Sequence, residues 1–166
     1  MRGVGGARVA AMRFGAIFLG VFLALAVGAS AHVRLSPPQA AHGASVLLAF
    51  HVPNERPNAS TVALAVQFPP DAHITVARVR PLRGWTAHVA TKDGAVDTIT
   101  RSGGAIRANG QQTFSVWAGP LPATGNVLYF KAVQTYSSGE TVRWIQLRNP
   151  GEAEPPNPAP MLRMER

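Results

Sequence analysis

From His32 onward the chain is a series of short β-rich segments broken by proline, glycine and asparagine, and this punctuation limits the possible folds most strongly. No stretch keeps the 3.6-residue apolar period of an amphipathic helix. About eight segments have the length and spacing of strands in a sandwich or barrel. They are residues 45–52, 60–68, 74–79, 85–90, 96–101, 112–117, 127–135 and 140–147. The sequence therefore predicts an all-β protein, a single antiparallel β-sandwich.

Local patterns support this prediction. In residues 60–68 the larger apolar side chains alternate with smaller or polar ones, as expected of a strand with one buried face. The alternating set is Val62, Leu64, Val66 and Phe68. Asp93-Gly94 is typical of a two-residue hairpin turn, and Gly139 allows a turn that needs a positive φ.

Residues 1–31 have the three parts of a secretory signal peptide. Three arginines precede an apolar run over residues 14–27, and small residues follow up to Ala31. At about 14 residues the apolar run is short for a membrane span, which needs roughly 20. We expect a helical signal peptide that is cleaved after Ala31, with periplasmic or secreted localisation and no transmembrane anchor after cleavage.

Residues 32–150 are long enough for one domain with a core of its own. Four prolines within residues 155–160 favour an extended chain with few ladder donors. Residues 151–166 are accordingly predicted to form a Pro-rich disordered tail.

Charge and cysteine content exclude several classes of function. Three of the sixteen Lys and Arg residues precede the expected cleavage point, so the net charge falls from +8 to +5 in the mature chain. These charges are scattered rather than clustered, which argues against nucleic-acid binding. The chain has no cysteine, so disulfides and thiolate metal ligands are excluded.

Cleavage after Ala31 would leave His32 at the amino terminus, where one metal ion can bind both the α-amine and the ring Nδ1. An internal histidine cannot form this chelate. The alternative is that a histidine follows the cleavage site by chance.

Two further residues are candidate site residues. Glu55 lies in a proline-bracketed loop after an apolar strand, where a fixed carboxylate could bind a divalent ion. It could instead pair with Arg56. Trp144 lies in the second strand of a predicted hairpin, where it could be a core aromatic.

The other candidates have weaker support. Four histidines follow no ligand spacing: His42, His51, His73 and His88. Met161 and Met164 could offer thioethers to Cu(I) but lie in the predicted tail, and Trp85 and Trp117 are predicted to be core residues. The chain carries no nucleophile elbow, phosphate loop or dinucleotide-binding glycine pattern, so we expect a protein that is not an enzyme.

Three stretches in order resemble the YcnI-like family of exported bacterial copper-binding proteins. They are Ala31-His32-Val33 with Leu35 and Pro37, residues 50–56 (FHVPNER), and residues 133–136 (VQTY) followed by 139–145 (GETVRWI). The resemblance implies a cupredoxin-like or immunoglobulin-like sandwich whose Cu(II) site is a monohistidine brace. His32 would supply the amine and Nδ1, Glu55 a carboxylate oxygen, and Trp144 would lie beside the metal. Members often carry a C-terminal membrane anchor, and residues 151–166 depart from that pattern.

Nitrogen and carboxylate donors also favour Cu(II) on chemical grounds. We therefore predict a copper chaperone or store that hands copper to another copper-trafficking protein or a copper transporter. An oxidative, monooxygenase-like histidine-brace enzyme is an alternative and would need a second histidine at the metal. A metal-free structural or adhesive sandwich is the other alternative.

Overall fold

The computed structural model describes residues 32–149 and 151–166, and the predicted signal peptide lies outside the described residues. The described part contains twelve strands and a one-turn 3-10 helix at Pro70–Ala72. The strands are β1 (Arg34–Ser36), β2 (Gln39–Ala41), β3 (Val46–Pro53), β4 (Thr61–Gln67), β5 (Val76–Val79), β6 (Thr86–Lys92), β7 (Ala95–Ile106), β8 (Gln111–Gly119), β9 (Val127–Tyr129), β10 (Lys131–Tyr136), β11 (Thr141–Trp144) and β12 (Met161–Glu165).

The strands form three sheets. One sheet has the order β1-β3-β8-β5, the second β11-β10-β4-β7-β6, and the third β2-β12-β9. Neighbouring strands are antiparallel except β2 and β12, which pair in parallel. The two larger sheets face each other, because Phe50 and Phe114 of the first line the same small internal void as Leu64 and Ile99 of the second. The predicted all-β sandwich is confirmed.

Alternation along β4 determines which of its side chains enter the core. Leu64 and Val66, with Phe68 just beyond the strand, are buried as predicted, whereas Val62, the fourth residue of that set, is only half-buried where the register with β7 shifts. Phe130 is also fully buried, and its ring meets Phe50 and Phe68 edge-on at centroid distances of 5.8 and 5.1 Å. Such edge-to-face pairs stabilise a core beyond the area they bury.

All eight predicted strand segments contain a strand, with some shifts in their bounds. Residues 127–135 are divided at Phe130, whose N–H donates to the carbonyl of Pro160. Asp93 and Gly94 both have positive φ, 52° and 78°, as a type I′ hairpin turn requires. Gly139 has a φ of 87°, also as expected.

The C-terminal segment corrects the prediction of a disordered tail. β12 lies between β2 and β9 in the three-stranded sheet, and Leu162 is fully buried. The prolines of residues 155–160 keep that stretch out of the ladders, but the five residues after them alternate between buried and exposed positions. Met164 faces inward with Leu162, so the end of the chain belongs to the folded domain.

The two remaining tryptophans differ from each other. Trp117 was predicted to be a core residue, but it is 46% exposed. Its strand neighbours Val116 and Ala118 point inward, and the period of two therefore directs Trp117 outward. Trp85 is half-buried and packs edge-on against Phe114 at 4.8 Å, in keeping with the prediction.

Substituting Gly104 by alanine should destabilise the sandwich. A Cβ at this position would lie 2.2 Å from Cε2 of Trp85, so the indole would have to move. We expect the free energy of unfolding in urea to fall by about 1–3 kcal/mol, the usual range for overpacking. The same substitution in a Trp85→Ala background should cost little, because the clash is gone. An equal loss in both backgrounds would contradict this explanation.

Candidate metal centre

His32 and Trp144, two predicted site residues from opposite ends of the domain, lie in contact. Their ring centroids are 5.7 Å apart with an interplanar angle of 60°. His32 lies just before β1, whose pairing with β3 fixes the start of the described chain. Its side chain is 16% exposed, so the imidazole is largely covered while keeping some access to solvent.

Trp144 occupies the last position of β11, opposite Ala132 on β10. The residue is 5% exposed, and its Nε1–H donates a hydrogen bond of 3.0 Å to Oε1 of Gln134. The indole is therefore oriented by a polar contact as well as by packing.

Gln134 connects Trp144 to the segment that precedes Glu55. It is fully buried, and its amide nitrogen donates to the carbonyl of Pro53 at 2.8 Å and to Oγ1 of Thr61 at 2.7 Å. Both amide protons and the amide oxygen thus have partners, as a buried polar side chain requires. Gln134 is not among the predicted site residues, although it is the second residue of the motif at residues 133–136 that resembles the family.

The loop that carries Glu55 is held from inside by Asn54. This side chain is buried and donates to the carbonyls of Ala59 and Ile106 at 2.7 and 2.8 Å. Its oxygen accepts from the backbone N–H of Arg56 at 2.8 Å. The loop therefore has a fixed backbone on both sides of Glu55.

Arg56 closes the outer side of this loop. Its guanidinium forms two hydrogen bonds to the carboxylate of Glu140 and lies 5.1 Å from the centroid of the Tyr136 ring. The hydrogen bond from Arg56 lowers the pKa of Glu140 and raises that of Arg56, whereas burial raises the pKa of Tyr136. Arg56 also interacts electrostatically with Glu55, so the alternative in which Glu55 pairs with Arg56 or another base stays open.

Glu55 shares a small cavity with Trp144. The cavity has a volume of about 100 Å³, and Tyr136 and Asn157 also line it. Trp144 thus contacts His32 and lines the cavity that Glu55 also lines.

Glu154 also lies beside His32, although it is not among the predicted candidates because it falls in the segment predicted to be disordered. Its Oε1 lies 3.4 Å from Nδ1 of His32 and also forms an ion pair with Arg148. These residues line a cleft of about 420 Å³, to which Arg34 and Met161 contribute. A carboxylate therefore lies beside the ring nitrogen that a histidine brace would use.

The described side chains alone do not form a conventional metal cage. No group of three or more His, Asp or Glu side chains within residues 32–149 and 151–166 is close enough to hold an ion. A site at His32 would need a donor from the backbone, and the α-amine released by cleavage after Ala31 is such a donor. The ring nitrogen and nearby carboxylates fit the donor set that Cu(II) prefers.

Other predicted candidates lie in different environments. His42 Nδ1 bonds to the carbonyl of Pro122 at 3.1 Å. His51 is held between the hydroxyls of Ser36 and Thr113 at 2.7 and 3.0 Å. Met164 is buried in the third sheet, whereas Met161 lines the cleft beside His32.

His73 and His88 complete the histidines of the chain. His73 follows the 3-10 helix with a left-handed φ of 45°, and His88 is exposed on β6. No helix in the described part of the chain is long and apolar enough to cross a membrane.

Comparisons with known proteins agree with the fold. An uncharacterized protein from Nocardia farcinica, whose crystal structure reveals an immunoglobulin-like fold, is 35% identical with a TM-score of 0.73, over 80% of this chain and 97% of that one. A cohesin module from a family 33 glycoside hydrolase of Clostridium perfringens has a TM-score of 0.52 at 6% identity, over 81% and 97% of the two chains. It shares the fold alone. The search of curated proteins finds no match. Residues 32–164 match the family described as a domain of unknown function, DUF1775, and the chain belongs to that family.

Proposed function

We propose that the mature protein, exported and cleaved after Ala31, binds Cu(II) at His32 and serves as a copper chaperone or store in the periplasm or outside the cell. The observation that supports this most directly is the contact of His32 with Trp144, 5.7 Å between centroids. These two residues are 112 positions apart in the chain, and both are site residues predicted from the sequence alone. The resemblance of three motifs to the YcnI-like copper-binding proteins adds to this support.

In this proposal His32 gives two nitrogens, the α-amine and Nδ1, and Glu55 gives a carboxylate oxygen. Such a set of nitrogen and oxygen donors favours Cu(II), which also has the highest affinity in the divalent series. Cu(I) would prefer thiolates or clustered thioethers, and the chain has no cysteine. Copper is the cargo of the protein here, and the site holds and releases it.

Trp144 would cover one side of the bound ion. Its indole is fixed by Gln134, and Gln134 also bonds to the backbone carbonyl of Pro53, two residues before Glu55. A single buried amide therefore sets the position of the indole relative to the Glu55 loop. Such outer contacts restrict solvent access and tune a metal ion without binding it.

A trafficking role has more support than an oxidative one. Oxidation at a histidine brace would require a second imidazole on the ion, but His42 Nδ1 bonds to the carbonyl of Pro122 and both ring nitrogens of His51 bond to the hydroxyls of Ser36 and Thr113. Electron paramagnetic resonance of the copper-loaded mature protein separates the two functions. Hyperfine coupling from two imidazoles would favour the oxidative enzyme, whereas coupling from one imidazole and one amine would favour trafficking.

Replacing Glu55 by glutamine should weaken Cu(II) binding by about tenfold or more, because a charged oxygen donor becomes a neutral amide of the same shape. The measurement is a competition titration with a chelator of known affinity, on protein that begins with His32. Asp93→Asn is a matched control, since it removes the same charge at the β6–β7 turn, where asparagine also accepts a positive φ. Unchanged affinity and an unchanged copper spectrum in the Glu55 variant would remove this residue from the ligand set.

A further inference from the structure

Glu154 places a carboxylate beside the proposed chelate. Its Oε1 lies 3.4 Å from Nδ1 of His32, the ring nitrogen that the brace would use. The proposed set of His32 and Glu55 donors therefore has a second carboxylate within reach.

The spacing between these two atoms suits a shared ion. First-row divalent ions hold nitrogen and carboxylate oxygen donors at about 2 Å, so two ligands of one ion lie roughly 3 Å apart. The observed 3.4 Å is close to this separation. Only a small shift of either side chain would be needed for both to bind one ion.

Arg148 orients the Glu154 carboxylate. The two side chains form an ion pair through the oxygen that also faces His32. A charge-assisted contact of this kind restricts the rotation of a carboxylate. Groups that hold a ligand from behind commonly determine its geometry at a metal.

Glu154 lies in the β11–β12 loop, residues 145–149 and 151–160, whose base is closed by Gln146. The backbone N–H of Gln146 donates to the carbonyl of Asn157 at 3.0 Å, and its carbonyl accepts from Ala159 at 2.8 Å. Its side-chain oxygen accepts from the N–H of Asn157 at 2.7 Å. The loop thus follows Trp144, and its two ends are held together by the bonds of Gln146 to Asn157 and Ala159. Glu154 lies between these ends and lines the cleft that His32 also lines.

We infer that Glu154 is a ligand of the metal bound at His32, so that bound copper ties the described part of the β11–β12 loop to the amino-terminal residue. This inference rests on the proposed copper-binding function and adds a ligand to it. Two consequences follow. The carboxylate contributes to affinity, and the bound ion links the amino-terminal residue to the loop.

The test compares three proteins that all begin with His32: the parent chain, Glu154→Gln and Glu152→Gln. Glu152 is the matched control, because it lies in the same loop and accepts a hydrogen bond from Asn149 instead of facing His32. In a competition titration with Cu(II), Glu154→Gln should bind about tenfold more weakly or worse, the scale typical of changes close to a metal. Glu152→Gln should match the parent chain. The paramagnetic resonance spectrum should change in Glu154→Gln alone.

Hydrogen exchange gives a second measurement that does not depend on affinity. At saturating Cu(II), backbone amides of the β11–β12 loop should exchange more slowly in the parent chain and in Glu152→Gln, because the ion holds the loop. This protection should be absent in Glu154→Gln. If that variant unfolds, Glu154→Asp replaces it, since a carboxylate one methylene shorter should bind more weakly than the parent.

The outcomes separate the two proposals. If the parent chain fails to bind Cu(II), the proposed function fails. If the parent chain binds but Glu154→Gln has the same affinity, spectrum and exchange pattern, Glu154 only pairs with His32 and Arg148. In that case the ligand role is wrong and the copper site stands.

Discussion

Acetylation of the α-amine of His32 should lower the affinity of the mature protein for Cu(II) by about 100-fold or more. The brace takes two of its donors from one residue, and an acetylated nitrogen is an amide that neither carries a basic lone pair nor closes the chelate. Loss of an outer contact alone commonly costs 10–100-fold, so loss of a direct donor should cost at least as much. The two samples have identical side chains, and the difference isolates the amine.

Acetylation is a sharper comparison than adding a residue before His32. An added residue would bring its own free amine, which could chelate copper together with the His32 ring and mask the loss. A His32→Ala chain with a free terminus is the complementary sample, since it keeps the amine and removes the imidazole. Both should bind weakly, and thermal unfolding should confirm that both remain folded.

The result that would contradict the brace is equal affinity of the acetylated and free forms. Copper would then be bound by side chains alone or at another place. The free form should also lose affinity as pH falls below the reference amine pKa of about 7.7 to 8.0, because a proton competes with copper for that nitrogen. The acetylated form lacks that competition.

Features set by local sequence could be predicted without the structure. The burial of Leu64, Val66 and Phe68 follows from the period of two along a strand. The turn at Asp93-Gly94 follows from the ease with which these residues adopt positive φ. Both the burial along this strand and the hairpin turn depend on residues that are neighbours in the sequence, so the sequence pattern predicts them correctly.

The exposure of Trp117 could have been predicted from the alternation of residues along β8. Phe114, Val116 and Ala118 alternate as an inward set within β8, and that alternation directs Trp117 to solvent. Residue type alone favoured a core position, and the strand period overrode it. The indole remains exposed beside Arg78, its partner across the β5–β8 ladder.

The contacts at the site depend on residues that are distant in sequence. Gln134 joins Trp144 to Pro53 and Thr61 through hydrogen bonds. The spacing of these residues in the sequence does not predict these bonds. Glu154 approaches His32 only because its loop is fixed at both ends, by β11 and by β12. The sequence indicated the residue types at the site, while the pairing of distant strands determined which of them meet.

Leu162→Ala should be among the most destabilising single substitutions in the C-terminal region. Leu162 is fully buried on β12, the central strand of its sheet, opposite Leu128 on β9. Replacing a buried leucine by alanine usually costs about 2–5 kcal/mol, through lost burial and the cavity left behind. For a domain of this size we expect a fall in Tm on the order of 10 °C. Calorimetry or thermal unfolding followed by circular dichroism measures it.

Arg163→Ala is the matched control on the same strand. Its side chain is exposed, and its backbone pairing with Gln39 and Val127 does not depend on the side chain. We expect a change within about 0.5 kcal/mol. If Leu162→Ala were equally mild, β12 would contribute little to the stability of the domain. Because β12 follows the loop that carries Glu154, contacts other than the packing of β12 would then have to hold that loop beside His32.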